Sequence, residues 1–555
     1  MAPAIAISSP GDADLAAAYG PVGFRGLFQN SFVLLLAVCS SFGGLLFGYD
    51  QGVMSGILVM NNFARVFPQL ANNDNLQGWI VSVLQLGACI GSLVNGPIAD
   101  KYSRKYAMSG ACCIFILGAA IQTGVQNTVM FFFGRFFAGF GIGQLSMTVP
   151  LYLGEIAPPN VRGSIITLQQ FGITVGIMVS FWINYGTQYI GGTGDGQLGV
   201  AWRLPLGLQL IPPVILLFSS VFVLPFSPRW LYIVDRPDEA LISLARIRRL
   251  PVDDERIQRE ILAIKISDLF DRKTMQEKFP EANTKFKQDI RLYIELIRVP
   301  HLRRRLFRSC EMQVIQQFTG INALIYYAPK VFGFIGMDGN STRLLATGVI
   351  GIINVLFSFV PFFLLDKIGR RPILIIGGVG MAISQIIVAT IYACYDNKWD
   401  TNKSAGWACA VFIWVYIANF AYSIACVNWI YPSEIFPPFV RSKAMSIAIA
   451  VNWLFCFIVG LVTPRMLTSI KFGTFYFFFA FCIILIFWTY FLIPETKGVA
   501  IEDMDKIWGG NSAAEDVRRL ELITKEVGSN TSWTSGYDKA SHENLELAKL
   551  ESSNV

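Results

Sequence analysis

Two charged residues stand inside otherwise apolar sequence. Asp50 closes the run Gly43-Gly44-Leu45-Leu46-Phe47-Gly48-Tyr49-Asp50, and Arg135 lies in Gly134-Arg135-Phe136-Phe137-Ala138-Gly139. A charge at a bilayer centre costs roughly 2.5–3.5 kcal/mol on insertion scales, so such residues are expected to pair. A carboxylate facing a guanidinium could bind and release a proton as water reaches it from alternate sides; a static ion pair is the other reading. The second group is neutral. Gln316, Gln317, Thr319, Gly320, Asn322, Tyr326 and Tyr327 fall within one short stretch. On a continuous helix Gln316, Thr319 or Gly320, and Tyr327 share a face, with Gln317 and Asn322 beside it. Isolated amides recur at Gln170, Asn354 and Asn452, and indoles at Trp429 and Trp453. Buried amides are costly unless hydrogen-bonded. Amides with aromatic plates suit a polyhydroxyl ligand; adhesion between helices is the alternative.

A third set of charges repeats. Asp100-Lys101-Tyr102-Ser103-Arg104-Lys105 returns as Asp366-Lys367-Ile368-Gly369-Arg370-Arg371. Glu155-Ile156-Ala157-Pro158-Pro159-Asn160-Val161-Arg162 returns as Glu434-Ile435-Phe436-Pro437-Pro438-Phe439-Val440-Arg441. Each half thus supplies carboxylates (Asp100, Glu155; Asp366, Glu434) and guanidinium groups (Arg104, Arg162; Arg370, Arg441). Arg pairs bidentately with carboxylate, so these groups are read as a latch that joins the two halves on the inner side when the carrier faces out and breaks when it opens inward. Ordinary anchoring of helix ends leaves the repeated spacing unexplained.

The elements that must position these residues are apolar helices. Hydrophobic residues make up 53 % of the 555 and charged residues only 15 %, against roughly 25 % charged in an average soluble domain. Segments long enough to span a bilayer lie near 31–58, 78–98, 106–124, 129–153, 164–186 and 204–224, then near 310–335, 344–365, 372–394, 407–433, 443–464 and 472–493. The repeated motifs follow the second and fourth segments of each set. The chain therefore reads as a segment 1–30, a six-helix unit 31–224, a charged linker 225–309 with short helices, a second six-helix unit 310–493, and a largely disordered tail 494–555. Parallel repeats of this kind are the architecture of alternating-access carriers.

Nineteen of the 45 Lys and Arg lie between Pro225 and Cys310, among many Asp and Glu, which marks a solvated segment and excludes a nucleic-acid surface. Lys and Arg gather in the loops on one side, so both termini are expected in the cytoplasm. Asn340-Ser341-Thr342 and Asn402-Lys403-Ser404 then fall on outer loops as glycosylation acceptors; Asn530-Thr531-Ser532 falls on the wrong side. The ten Cys sit mostly in apolar runs without metal-type spacing, and two His build no site. Neither metal nor cofactor is expected, and no catalytic constellation appears. Gly139, Gly141 and Gly143 follow no strand and read as helix-packing residues rather than a nucleotide loop. Met1–Gly20 has no basic start or apolar core, so it is not a signal peptide.

Together these motifs resemble the sugar porter branch of the major facilitator superfamily across about residues 30–500: FGYD at 47–50, GRFFAGFGIG, VPLYLGEIAPPNVRG, QQFTGINALIYY, DKIGRRP, and PETKG at Pro494–Gly498. The resemblance implies an all-α membrane protein with the major facilitator fold, twelve transmembrane helices in two six-helix bundles. It implies that Gln170, Gln316, Gln317, Asn322, Asn354, Trp429 and Asn452 contact sugar. Phe47, Tyr326 and Tyr327, with Trp453, would form the aromatic wall or gate, and Asp50 with Arg135 the proton site. Passive members tend to carry Asn at the position of Asp50.

Three positions depart from the family pattern. Pro225-Phe226-Ser227-Pro228-Arg229 loses a carboxylate, Ser103 replaces a usual Gly, and Ala425-Cys426 replace a Gly-Pro pair with Asn428 nearby. The tenth helix is expected to be less broken for that reason, and Asn428 to add a polar contact. The expected function is proton-coupled monosaccharide uptake at the plasma membrane by a monomer whose partners are the sugar, the proton and the lipid bilayer. A passive uniporter, or a sensor signalling through its tail, is the alternative.

Overall fold

The computed structural model describes residues 18–21, 23–278, 285–396, 398–497, 507–508, 518–519 and 522–527. Twelve membrane segments follow in order: α1 Ser31–Ile57, α2 Asp74–Tyr102, α3 Arg104–Thr123, α4 Thr128–Ile156, α5 Arg162–Thr187, α6 Val200–Leu208 continued by Ile211–Phe218 and a π turn at Ser219–Val223, α7a Pro300–Phe318 and α7b Ile321–Phe334, α8 Asn340–Ser358 continued by Pro361–Ile368, α9 Arg370–Tyr395, α10a Lys403–Tyr422 and α10b Ile424–Ile435, α11 Pro438–Ser469, and α12 Gly473–Leu492. Among the described residues, eleven of them are long and apolar enough to cross a membrane, α10 being counted across Lys403–Ile435. The twelfth, α7, is cut in two. Its first part opens in the charged sequence His301-Leu302-Arg303-Arg304-Arg305, before the boundary that hydropathy alone places near 310.

Local chemistry sets the ends. Asn30, Asn73 and Asn127 cap α1, α2 and α4, each side chain accepting from amides of the first turn, the capping role that short polar side chains fill best. Gly320, at φ +97°, ends α7a in a conformation open to glycine at little cost. The tenth helix is broken too, contrary to the expectation from Ala425-Cys426. The break falls at Ser423 (φ −108°, ψ −98°), whose hydroxyl donates to the Asn419 carbonyl at 2.5 Å.

In lipid, helices associate through close packing rather than a hydrophobic drive. A Cβ at Gly48 would run into the backbone of Ile173, joining α1 to α5, and one at Gly139 would run into that of Leu84, joining α4 to α2. The halves meet along α2–α11 and α5–α8, with α7b against α1.

Between the halves, helices Pro228–Ile233, Pro237–Arg248, Glu255–Lys278 and Lys285–Arg298 cover one face of the bundle, here termed the linker face. A buried cluster fastens the linker to the first half. Arg248 donates to both Glu260 carboxylate oxygens (2.9 and 2.6 Å) and to the Ile156 carbonyl (2.6 Å), and the Tyr19 hydroxyl donates to Glu260 (2.8 Å). Burial opposes ionisation of Glu260, but the Arg248 guanidinium and the Tyr19 hydroxyl outweigh it and hold the carboxyl below its ordinary range. Lys443–Asp289 (2.8 Å) ties the last linker helix to α11. In the tail, Ile523 and Val527 pack on Ile266 and Phe270. Most of 498–555, including Asn530, lies outside the described residues, as does the side chain of Asp366.

Candidate functional site

Asp50 and Arg135 meet. Arg135 Nη1 lies 3.2 and 3.3 Å from the two Asp50 oxygens, and both residues are almost fully shielded, at 0 % and 1 % exposure. The guanidinium is held from its other edges by α2, Nε donating to the Ile80 carbonyl (3.3 Å) and Nη2 to that of Val81 (3.1 Å). Three helices thus converge on one ion pair in which every partner is specified. A charge that must be buried survives through such pairing and hydrogen bonding.

The amides surround a central cavity between the halves. Gln170, Gln316, Gln317, Asn322, Asn354, Trp429 and Asn452 all line it, as do Phe47 and Trp453. Phe47 and Trp453 stand 5.0 Å apart between ring centroids, one from each half. Gln317 donates to Asn452 Oδ1 at 2.7 Å, and Asn322 donates to Gln317 Oε1 and to Cys456 Sγ (3.1 Å). The continuous helical face expected from sequence does not exist. The turn at Gly320 separates Gln316 and Gln317 from Asn322 and Tyr327, and this break is what lets the Asn322 amide fold back onto Gln317. Thr319 leaves the face altogether, its hydroxyl donating to the Gln316 carbonyl (2.7 Å). Asn428 does add a polar contact: it donates to Gln313 (2.5 Å) and to Gln316 and so orients the Gln316 side chain.

Tyr326 and Tyr327 stand behind the cavity wall. Tyr327 donates to the Gly460 carbonyl (2.8 Å), tying α7b to α11. The Tyr326 hydroxyl accepts from Gln51 (3.2 Å) and contacts Cys456 Sγ (3.3 Å), so it joins the amide network to the residue following Asp50. Gln51, Thr174 and Cys456 line the cavity as well and were not singled out from sequence. A polar residue directly after Asp50 was a usable signal for Gln51. A cysteine in an apolar helix gives none.

The repeated charges at the linker face pair within each half. Arg104 meets Glu155 (3.0 Å) and Asp100 (3.2 Å), and Arg370 meets Glu434 (2.7 Å). These pairs bind helices of the same half. Arg441 donates to the Phe436 carbonyl (3.2 and 3.1 Å), and Arg162 stands beside Glu260. In this conformation Arg104 and Arg370 thus pair within their own repeats, and the latch between halves, expected only when the carrier faces out, remains a proposal for that state. Contacts between halves gather toward the opposite face: Lys330–Asp74 (2.5 Å) and Asn340 Nδ2 to the Val59 carbonyl (2.7 Å). Asn402 lies on that face beyond α9, its amide donating to Lys398 (3.3 Å).

Comparison with known proteins points the same way. The family described as Sugar (and other) transporter matches residues 36–508. The chain is 33 % identical to the H(+)/hexose cotransporter 2 of Parachlorella kessleri, over 90 % of this chain and 94 % of that one. It is 31 % identical to a probable quinate permease of Aspergillus niger, over 93 % and 96 %. Among solved structures it is similar to the proton:xylose symporter XylE of E. coli bound to 6-bromo-6-deoxy-D-glucose, at TM-score 0.69 and 26 % identity, covering 87 % of this chain and all of that one.

Proposed function

The chain belongs to the sugar (and other) transporter family, a branch of the major facilitator superfamily, and from that premise we propose that it carries a monosaccharide, a hexose or a pentose, inward across the plasma membrane together with a proton. The observation that carries the reading is the cavity. Neutral amides from α5, α7, α8 and α11 surround one space between the halves, two indoles and two phenyl rings wall it, and the Asp50–Arg135 pair lies one residue from the lining side chain Gln51. Amides donate and accept at once, as sugar hydroxyls do, and the rings take the apolar face of the pyranose.

The linker face is read as cytoplasmic, from its Lys and Arg, and the opposite face as external. The halves touch toward that external face, which makes this an inward-facing arrangement. Asn340 and Asn402 are the two glycosylation acceptors on that external face, each with its amide nitrogen hydrogen-bonded in this conformation. Protonation of Asp50 from outside would release Arg135, loosen α1 from α2 and α4, and let the halves turn about the sugar. Re-formation of the pair discharges the proton inside. An anionic polyol such as quinate is the second reading, prompted by the permease relatives. The cavity argues against it, since no cationic side chain lines it among the described residues.

The test is uptake of labelled hexoses, pentoses and quinate in a transport-null cell, with external alkalinisation recorded. Asp50→Asn should abolish accumulation against a gradient while sparing exchange of sugar for sugar. Accumulation by that variant would sink the coupling assignment, and wild-type uptake indifferent to protonophores would point to a uniporter. A signalling response without uptake would point to a sensor.

A further inference from the structure

The turns between the second and third helices of each half match in sequence and differ in how they are closed. In the second half Gly369 precedes α9, and the Glu495 carboxylate accepts from the amides of Arg370 (2.9 Å) and Arg371 (3.0 Å). Pro494-Glu495 corresponds to Pro225-Phe226 in the first half. There, among the described residues, no carboxylate takes the equivalent place. The Phe226 ring lies beneath the Lys105 ammonium instead, 5.1 Å from Nζ to centroid, and stacks on Trp230 at 5.5 Å.

Beside this ring a pocket opens at the linker-face end of α6. Lys105 and Arg246 stand on its rim, with Phe222, Pro225 and Ile242 as apolar walls. Neither cation forms an ion pair among the described residues, and the pocket's carboxylate, Glu239, is held by Arg236. Two like charges share a hollow whose one carboxylate is already engaged elsewhere. Phe222 and Ile242 are 70 % and 61 % exposed, and Phe222 sits on the π turn that ends a membrane helix. Cations above, apolar surface below and a position at the edge of the bilayer are the chemistry of a lipid headgroup.

We propose that this pocket binds the phosphate of an anionic phospholipid between Lys105 and Arg246, with an acyl chain running along Phe222 and Ile242. The choice of an inner-leaflet lipid rests on the orientation proposed above; the cation pair and its apolar walls do not. The lipid phosphate would restore the negative charge that Phe226 removed and that Glu495 supplies in the other half. Loss of lipid would leave the α2–α3 turn of the first half electrostatically uncompensated.

The experiment is thermal unfolding of the purified full chain in detergent, titrated with phosphatidylglycerol, phosphatidylcholine or soluble glycerol phosphate, with retained lipid counted by native mass spectrometry. Phosphatidylglycerol should raise the midpoint and be retained; the other two should not. Each cation near an anionic lipid surface contributes about a fivefold preference, so Lys105→Ala with Arg246→Ala should lose roughly 25-fold in apparent affinity. Arg246→Ala alone, at an exposed position, should lose about fivefold and still fold. Phe226→Glu should remove the phosphatidylglycerol response by supplying the carboxylate internally. Equal responses from wild type and Arg246→Ala would overturn the site, and protection by glycerol phosphate at equal concentration would overturn the lipid. Failure of sugar uptake in cells would leave these readouts untouched, so the two proposals fail separately.

Discussion

The two halves share a fold and a set of end motifs but handle polarity in opposite ways. In the first half, α1 and α4 run unbroken through the membrane, meet their neighbours at glycines, and bury a full ion pair. In the second half their counterparts, α7 and α10, are both interrupted, at Gly320 and Ser423, and carry neutral amides near the breaks. The difference follows from energetics. A charge pair in a low-dielectric interior is tolerable only where geometry is fixed and every remaining donor is satisfied. A ligand that must be gripped and released needs side chains whose backbone can move, and amides cost less than charges when left briefly unpartnered. The first half therefore keeps the ion, and the second half supplies most of the proposed ligand contacts.

This contrast is most sharply broken by removing one member of the pair. Arg135→Ala strands a fully buried carboxylate and frees the Ile80 and Val81 carbonyls, and should cost about 3–5 kcal/mol. Asp50→Asn keeps a polar group against the guanidinium and should cost well under half of that. Unfolding midpoints of the two variants in detergent check the ratio. If they were equally destabilised, the pair would be a structural weld and the first half would lose its special role.

Gly320→Ala probes the hinge side of the comparison. A side chain at φ +97° costs about 1–2 kcal/mol in backbone strain, and its Cβ would stand 2.6 Å from the Phe478 ring. The expected outcome is a fall in transport rate of tenfold or more, roughly 1.4 kcal/mol, with a smaller change in sugar affinity. Single-turnover uptake in proteoliposomes separates the two. An unchanged rate would show that α7 does not bend at this point during transport.

Within the cavity the halves should differ again. Gln317→Ala removes the partner of Asn452 and leaves Asn322 with Cys456 alone, as well as losing the proposed sugar contact, a loss of about 1–3 kcal/mol, or roughly 5- to 150-fold in KM. Gln170→Ala removes a single sugar contact and should cost about 0.5–1.5 kcal/mol, roughly 2- to 12-fold. Substrate titrations on both variants give the comparison directly, and a larger effect at Gln170 would reverse the division proposed here.

Much of this was legible because lipid and buried charge leave strong marks on a sequence. Apolar length located the membrane segments, and the repeated end motifs announced two halves. Asp50 and Arg135 stood out through their cost in hydrocarbon alone. What escaped notice depended on backbone breaks. A lone glycine within an apolar run is compatible with a straight helix, so sequence alone places Gly320 on a continuous face. Ser423 has neither the ring of proline nor the freedom of glycine, and its hydroxyl bond to Asn419 is visible only in three dimensions. The direction of the end charges was also illegible: spacing shows that carboxylates and guanidinium groups are close to the same face, but not which helix each reaches. Cys456 and Gln51 joined the site through their contacts with Tyr326, which one-dimensional periodicity does not reveal.

The smallest expected effect tests the turn where the halves are most nearly superimposable. Ser103 holds φ +85° and ψ +156°, a region open in practice only to glycine and costing about 1–3 kcal/mol for other residues. Its counterpart Gly369 occupies the same region at φ +102° and ψ +168° without that cost. The Ser103 hydroxyl gives something back by accepting from the Tyr106 amide at 3.3 Å, but exchange of a capping serine for glycine costs only a few tenths of a kcal/mol. Ser103→Gly should therefore stabilise the protein by about 1 kcal/mol, seen as a small rise in the unfolding midpoint with sugar uptake unchanged. A fall instead would mean that the hydroxyl holds the α2–α3 turn together in the first half, where the Glu495 carboxylate has no equivalent, and that the strained backbone is the lesser effect.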